Sequence, residues 1–214
     1  MKYFLTLLIT IATLLISAPA NAQPVVSNGV KITPTLEFEG YCTLGAVGYD
    51  HAGNKVGITA GHCDAYNGGP LYLHDTKQHI GEFVYSNHDP SFDYAVVKLD
   101  DNVFLSSNGP NLRVDQVGSE AQFGEILCKD GRTTGVTCGL ILSWNNGLIH
   151  GEILTTGYMW QGDSGGPLVR GTELVGIASK LDYALPPFEF ISIHKILNDI
   201  PYGQVGSGFY SVNN

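Results

Sequence analysis

The 214 residues predict an all-β protein in which short strands pack as barrels or a sandwich, with one helix near the C-terminal end. Two observations predict it. Glycine is abundant at 27 residues while charged residues make up only 14%, a balance that suits tight turns between brief strands. Apolar runs of four to eight residues alternate with Gly, Asn and Asp clusters along nearly the whole chain, and helical periodicity is confined to one place.

In chain order, the first 22 residues stand apart. Lys2 supplies a basic start, Phe4 to Ile16 is an apolar run, and Ala20-Asn21-Ala22 has the small-residue pattern of a secretory cleavage site. A signal peptide is expected here rather than a membrane anchor, because the run is short for a span. Cleavage after Ala22 would leave a secreted chain, extracellular or periplasmic, with no second long apolar stretch. Residues 23–40 form a short N-terminal segment. Strands are expected at 42–49, 56–60, 71–74, 80–85 and 94–99. The stretch 106–119, with its Asn-Gly-Pro, connects the halves. Strands then follow at 126–129, 137–143, 149–155, 167–169 and 174–179. The helix is expected at 193–200, where Ile193, Ile196, Leu197 and Ile200 recur at helical spacing and Ser192 offers a cap.

Charge and cysteines narrow the function. A formal charge of −9 repels phosphate backbones and anionic lipid, so neither nucleic acid nor a membrane surface is an expected partner. Cys42, Cys63, Cys128 and Cys138 are an even set in an exported chain, and no pair has the spacing of a zinc site. Of the three pairings four cysteines allow, Cys42–Cys63 with Cys128–Cys138 closes two short loops.

Three motifs carry chemistry: Ile58-Thr59-Ala60-Gly61-His62-Cys63, Phe92-Asp93-Tyr94-Ala95-Val96-Val97, and Gly162-Asp163-Ser164-Gly165-Gly166-Pro167. A serine hydroxyl becomes a nucleophile when an imidazole takes its proton, and the imidazole needs a carboxylate on its other nitrogen. His62, Asp93 and Ser164 supply those roles in that order, and glycines beside the serine let backbone N–H groups converge on an oxyanion. Gly162–Gly166 also satisfies Gly-x-Ser-x-Gly of α/β-hydrolase esterases. That fold requires an acid and then a histidine after the serine, for which Asp182 and His194 are available, and alternating strands and helices, which are missing.

With these motifs, and with Cys128-Lys129-Asp130-Gly131-Arg132-Thr133-Thr134-Gly135-Val136-Thr137-Cys138-Gly139, the chain resembles the trypsin/chymotrypsin-like serine peptidases, in particular the short bacterial branch of streptogrisin and alpha-lytic protease. The resemblance covers roughly 42–200. It implies two packed antiparallel six-stranded β-barrels, spanning 41–112 and 113–214 with the helix, and an active cleft between them. It also implies a serine endopeptidase that acts on polypeptides without a cofactor or metal, as a monomer. Ser164 would be the nucleophile, His62 the general base, Asp93 its orienter, and the N–H groups of Gly162 and Ser164 the oxyanion hole. Asp163 would be buried and need a cation, with Lys129 the first candidate and Arg132 the second, and Ser179 would bond Asp93. Tyr158, Met159, Trp160, Gln161, Lys180 and Leu181 would border the substrate pocket. Tyr158 stands where trypsin-like members keep an acid, and Leu181 where glycine is common, so a small or apolar residue is slightly favoured before the scissile bond over an acidic one, which Lys180 would attract. The large pro-region usual in the bacterial branch has no counterpart between Ala22 and Cys42. The remaining histidines read as solvated surface groups. A triad-bearing chain that only binds peptides is the alternative in a different class.

Overall fold

Fully buried strands need apolar residues on both faces, and β-branched side chains fill that role throughout this chain. The computed structural model describes residues 23–37, 40–89, 92–143, 152–179 and 187–214. The first half comprises β1 (Val25–Ser27), β2 (Lys31–Thr33), β3 (Cys42–Thr43), β4 (Ala46–Tyr49), β5 (Lys55–Thr59), β6 (Gly69–Leu73), β7 (His79–Asn87), β8 (Tyr94–Leu99) and β9 (Phe104–Ser106). The second comprises β10 (Gln116–Val117), β11 (Ile126–Gly131), β12 (Gly135–Ser143), β13 (Glu152–Thr155), β14 (Pro167–Arg170), β15 (Glu173–Ala178) and β16 (Phe188–Ser192), then α1 (Ile193–Asp199) and β17 (Tyr210–Ser211).

Both halves close into antiparallel six-stranded barrels. In the second, the order β15-β14-β11-β12-β13-β16 is joined end to end by the β15–β16 pairing. In the first, β3 and β4 are one run bent at Leu44-Gly45. Its start pairs with β2 and its end with β5, so the series β4-β5-β8-β7-β6-β2-β3 returns to the same run. Closure removes the exposed edges that a flat sheet would present.

Each barrel has its own core, and a third apolar layer joins them. Strand β8 shows how a period of two serves both needs. Ala95, Val97 and Leu99 point into the first barrel with Ile32, Leu71 and Ile80. Tyr94 and Val96 point outward and pack with Val56, Ile58, Leu174, Ile177 and Ile191 between the barrels. Helix α1 lays Ile193 and Ile196 on that layer, and Ile200 follows at its end.

The expected strands recur with boundary shifts of a few residues, and β8 falls on the expected range. Brief strands β1, β2, β9, β10, β16 and β17 were not foreseen, because two to five residues carry too little periodicity to read. Three of them, β1, β2 and β17, pair across the expected bounds. Strand β2, placed in a preceding segment, pairs within the first barrel, and β17 returns from the C-terminal region to pair with β4. Ser192 does sit at the start of α1, but its hydroxyl donates to Glu120 Oε2 at 2.7 Å rather than capping the helix. No helix among the described residues is long and apolar enough to cross a membrane.

Candidate active site

The antiparallel pairing of β5 with β8 brings two motifs together. Thr59 lies opposite Ala95, so the turn leaving β5 meets the residues entering β8. The 3-10 turn Gly61–Cys63 carries His62, and Asp93 stands just ahead of Tyr94. Gly61 has to lack a side chain, since a Cβ there would come within 1.9 Å of the Asn87 carbonyl oxygen.

Asp93 is 2% exposed and fully engaged. Its Oδ1 accepts the His62 backbone N–H at 2.8 Å, and its Oδ2 lies 2.8 Å from His62 Nδ1 and accepts the Ser179 hydroxyl at 2.7 Å. Burial pushes the Asp93 carboxyl up, but the hydrogen bond and charge of His62, with the Ser179 hydroxyl, hold it below the ordinary value. A carboxylate accepts only, so Nδ1 is the donor in this bond, and in a neutral ring Nε2 is the nitrogen left with the lone pair. The His62 side chain is 44% exposed and lines a cavity of about 280 Å³ together with Ser164, Gln161, Gly162, Tyr41 and the Cys42–Cys63 disulfide. His62 and Ser164 share this cavity without a direct hydrogen bond among the described residues. Such contacts are often long until substrate binds.

Ser164 sits on the loop between Met159 and β14, clamped to the first barrel by Thr43 N–H donating to the Ser164 carbonyl at 2.8 Å. Neighbouring N–H groups hold the loop: Asp163 N to Trp160 O at 2.9 Å, Gly165 N to Ala178 O at 2.7 Å, and Gly166 N to Asp163 O at 2.9 Å. The N–H groups of Gly162 and Ser164 meet no protein acceptor among the described residues.

Behind this loop, Asp163 and Lys129 form a buried ion pair of 3.1 Å, at 0% and 1% exposure. The Asp163 carboxylate also accepts Thr133 N at 2.8 Å, Thr134 N at 3.0 Å, Trp160 N at 2.9 Å and the Thr134 hydroxyl. Burial pushes this carboxyl up, and Thr134, the Trp160 N–H and the Lys129 charge together hold it below the usual range. Lys129 further donates to Gly135 O at 2.8 Å and to Thr134 Oγ1. Arg132, the second candidate partner, makes no pair with Asp163. Its backbone N–H donates to Thr43 Oγ1 at 3.0 Å, and its buried Nε has no hydrogen-bond partner among the described residues. Thr133 and Thr134 were read only as part of the Cys128–Gly139 stretch and given no role; their place in the Gly131–Gly135 turn that follows Lys129 is what brings them to the Ser164 loop.

The expected pocket residues divide. Gln161 borders the cavity. Met159 does not line an open surface: it is 1% exposed and packs in the core of the second barrel. Tyr158 and Trp160 are partly exposed and stacked, with ring centroids 6.4 Å apart, and Tyr158 meets Phe188 edge-on at 5.6 Å. Lys180 and Leu181, like Asp182, His150 and the signal segment, lie outside the described residues. Cys42–Cys63 and Cys128–Cys138 are joined as disulfides, the second directly across β11 and β12. Not every other histidine is simply solvated: His79 pairs with Asp100 at 2.7 Å, and a ring nitrogen of His194 bonds Gly118 O at 2.7 Å.

No family model matches the chain. Two uncharacterized proteins of Mycobacterium tuberculosis, MT1863 and Rv1815, are each 30% identical to it over 180 and 181 residues, covering 75% of this chain and 76% of theirs. Among solved structures, Cellulomonas bogoriensis chymotrypsin is 26% identical with a TM-score of 0.68, over 89% of this chain and all of that one. Nocardiopsis protease is 25% identical with a TM-score of 0.66, over 81% and 95%. Thermobifida fusca protease A, at 23% identity and a TM-score of 0.71 over 89% and 100%, shares the fold. The chain belongs to the trypsin/chymotrypsin-like serine peptidase family, alongside bacterial members, and is kin to the two mycobacterial proteins.

Proposed function

We propose that this protein is a secreted serine endopeptidase that cleaves polypeptides through an acyl-enzyme on Ser164. The observation that carries the reading is the His62 imidazole, bonded to buried Asp93 at one nitrogen and bordering with its ring the cavity that also holds Ser164. His62 Nε2 takes the Ser164 proton as the hydroxyl oxygen attacks the scissile carbonyl, and Asp93 stabilises the imidazolium that forms. Charge developing on the carbonyl oxygen is met by the unengaged N–H groups of Gly162 and Ser164. His62 then returns its proton to the leaving amine, and water releases the acyl group by the same route in reverse.

Stacked Tyr158 and Trp160 present apolar surface beside the Ser164 loop, which supports an apolar residue before the scissile bond and offers no carboxylate for a basic one. The two disulfides fit an oxidising compartment. The test is digestion of a peptide library by wild type and Ser164→Ala, with fluorophosphonate labelling of both. Cleavage and labelling by wild type alone are expected. A folded wild type that neither cleaves nor labels would refute the reading and point to a peptide-binding role.

A further inference from the structure

The peptide joining Gln161 to Gly162 carries one of the two unengaged donors, and its orientation decides where that donor points. The Gln161 carbonyl oxygen accepts the Thr133 hydroxyl at 2.6 Å. In a trans peptide the C=O and N–H point in opposite directions. A carbonyl held toward Thr133 therefore turns the Gly162 N–H the other way. Gln161, Gly162 and Ser164 border the cavity and Thr133 does not.

The bond to Gln161 also assigns the rest of the network. Thr133 Oγ1 has one proton, and a carbonyl can only accept, so that proton goes to Gln161. The Tyr41 hydroxyl, 3.1 Å from Thr133 Oγ1, is then the donor to Thr133. Thr133 is itself tethered, because its own N–H donates to Asp163 Oδ1 at 2.8 Å. The following carbonyl repeats the arrangement from the other barrel: Thr43 Oγ1 donates to Gly162 O at 2.8 Å and accepts Arg132 N–H at 3.0 Å. Gly162 has φ +93°, and a Cβ there would come within 2.4 Å of Thr133 Oγ1 and 2.6 Å of Tyr41 Cε2. Two successive peptide planes are thus held by threonine hydroxyls.

We infer that Thr133, supported by Tyr41, is a positioning residue that sets the Gly162 N–H toward the oxyanion, an inference that rests on the peptidase reading above. Without the hydroxyl, the Gln161 carbonyl loses its anchor and a rotated peptide removes the donor from the cavity. The test compares wild type, Thr133→Val, Thr133→Ser and Tyr41→Phe on a peptide substrate and on a peptidyl boronate, whose tetrahedral adduct mimics the oxyanion. For Thr133→Val, kcat falls between about tenfold and the 10²–10³ that follows loss of one oxyanion donor. KM stays within about twofold, since the hydroxyl acts on the transition state rather than on bound substrate. Boronate affinity weakens by the factor lost in kcat/KM, Thr133→Ser restores both, and Tyr41→Phe lies between. An active wild type matched by Thr133→Val would overturn this inference alone. So would a loss confined to KM, one not rescued by serine, or unchanged boronate affinity. If Thr133→Val does not fold, Tyr41→Phe decides on the same readouts, while a wild type without turnover overturns the peptidase reading itself.

Discussion

Replacing Lys129 with methionine removes the cation of the buried pair while keeping most of the side chain's volume. The Asp163 carboxylate would keep Thr133 N–H, Thr134 N–H, Trp160 N–H and the Thr134 hydroxyl, but lose the Nζ at 3.1 Å. Removing one partner of a buried ion pair costs about 3–5 kcal/mol, and the donors that remain place this case near about 3 kcal/mol. For a chain of this size, each kcal/mol moves Tm by roughly 2–4 °C, so a fall on the order of 10 °C is expected. Urea titration followed by circular dichroism measures it, with m unchanged if the denatured state is the same. The pH dependence adds a second check. Asp163 has a folded pKa held below its unfolded value. The contribution of its charged form is therefore full above the ordinary carboxylate value of about 3.9 and fades as pH falls toward the folded pKa. The gap between wild type and Lys129→Met should narrow over that acid range. Stability within about 0.5 kcal/mol of wild type at neutral pH, the range of an ordinary surface substitution, would refute the argument that Asp163 depends on Lys129.

Two further outcomes follow from the same geometry. Ser179→Ala deletes one donor to Asp93 but leaves both bonds from His62. Peptidase kcat/KM should fall by roughly tenfold, equivalent to about 1.4 kcal/mol for one hydrogen bond to a charged group, with the fold intact by circular dichroism. The disulfides close loops of 21 and 10 residues in sequence separation, and loop-closure entropy makes them worth about 3.3 and 2.7 kcal/mol. Serine replacement of either pair should therefore destabilise to a similar degree in urea titration. Only loss of Cys42–Cys63, whose sulfurs lie within 4.8 Å of a His62 ring nitrogen, should also lower turnover of the folded protein.

Much of the machinery was legible because its chemistry is written in contiguous residues. Gly61-His62-Cys63 and Gly162–Pro167 carry their glycines where the backbone has to pass close to other groups, and Asp93 opens an apolar strand. The cation for Asp163 was legible only through the resemblance, which asks for a basic side chain there and made Lys129, directly after Cys128, the first candidate; the two pair at 3.1 Å. Met159 shows where the reading stays open: an apolar residue near Ser164 reads equally well as pocket wall or core, and in the structure it packs with Phe188 and Phe190 of the second barrel. Ser192 was read as a helix cap because serine suits that position, yet Glu120, 72 residues away, claims its hydroxyl.

What the sequence determined by itself was the set of reactive groups and the alternation that makes strands, since both follow from side-chain identity and neighbours in the chain. Tertiary structure decided which groups meet. Strand pairing places the turn after β5 against the start of β8, barrel closure brings Thr43 under the Ser164 loop, and the β11–β12 turn delivers Thr133 and Thr134 to Gln161 and Asp163. A threonine hydroxyl has no local pattern that names its acceptor. Its partner is chosen by the fold, because a buried carbonyl or carboxylate has to be satisfied by whichever donor the packing brings within reach.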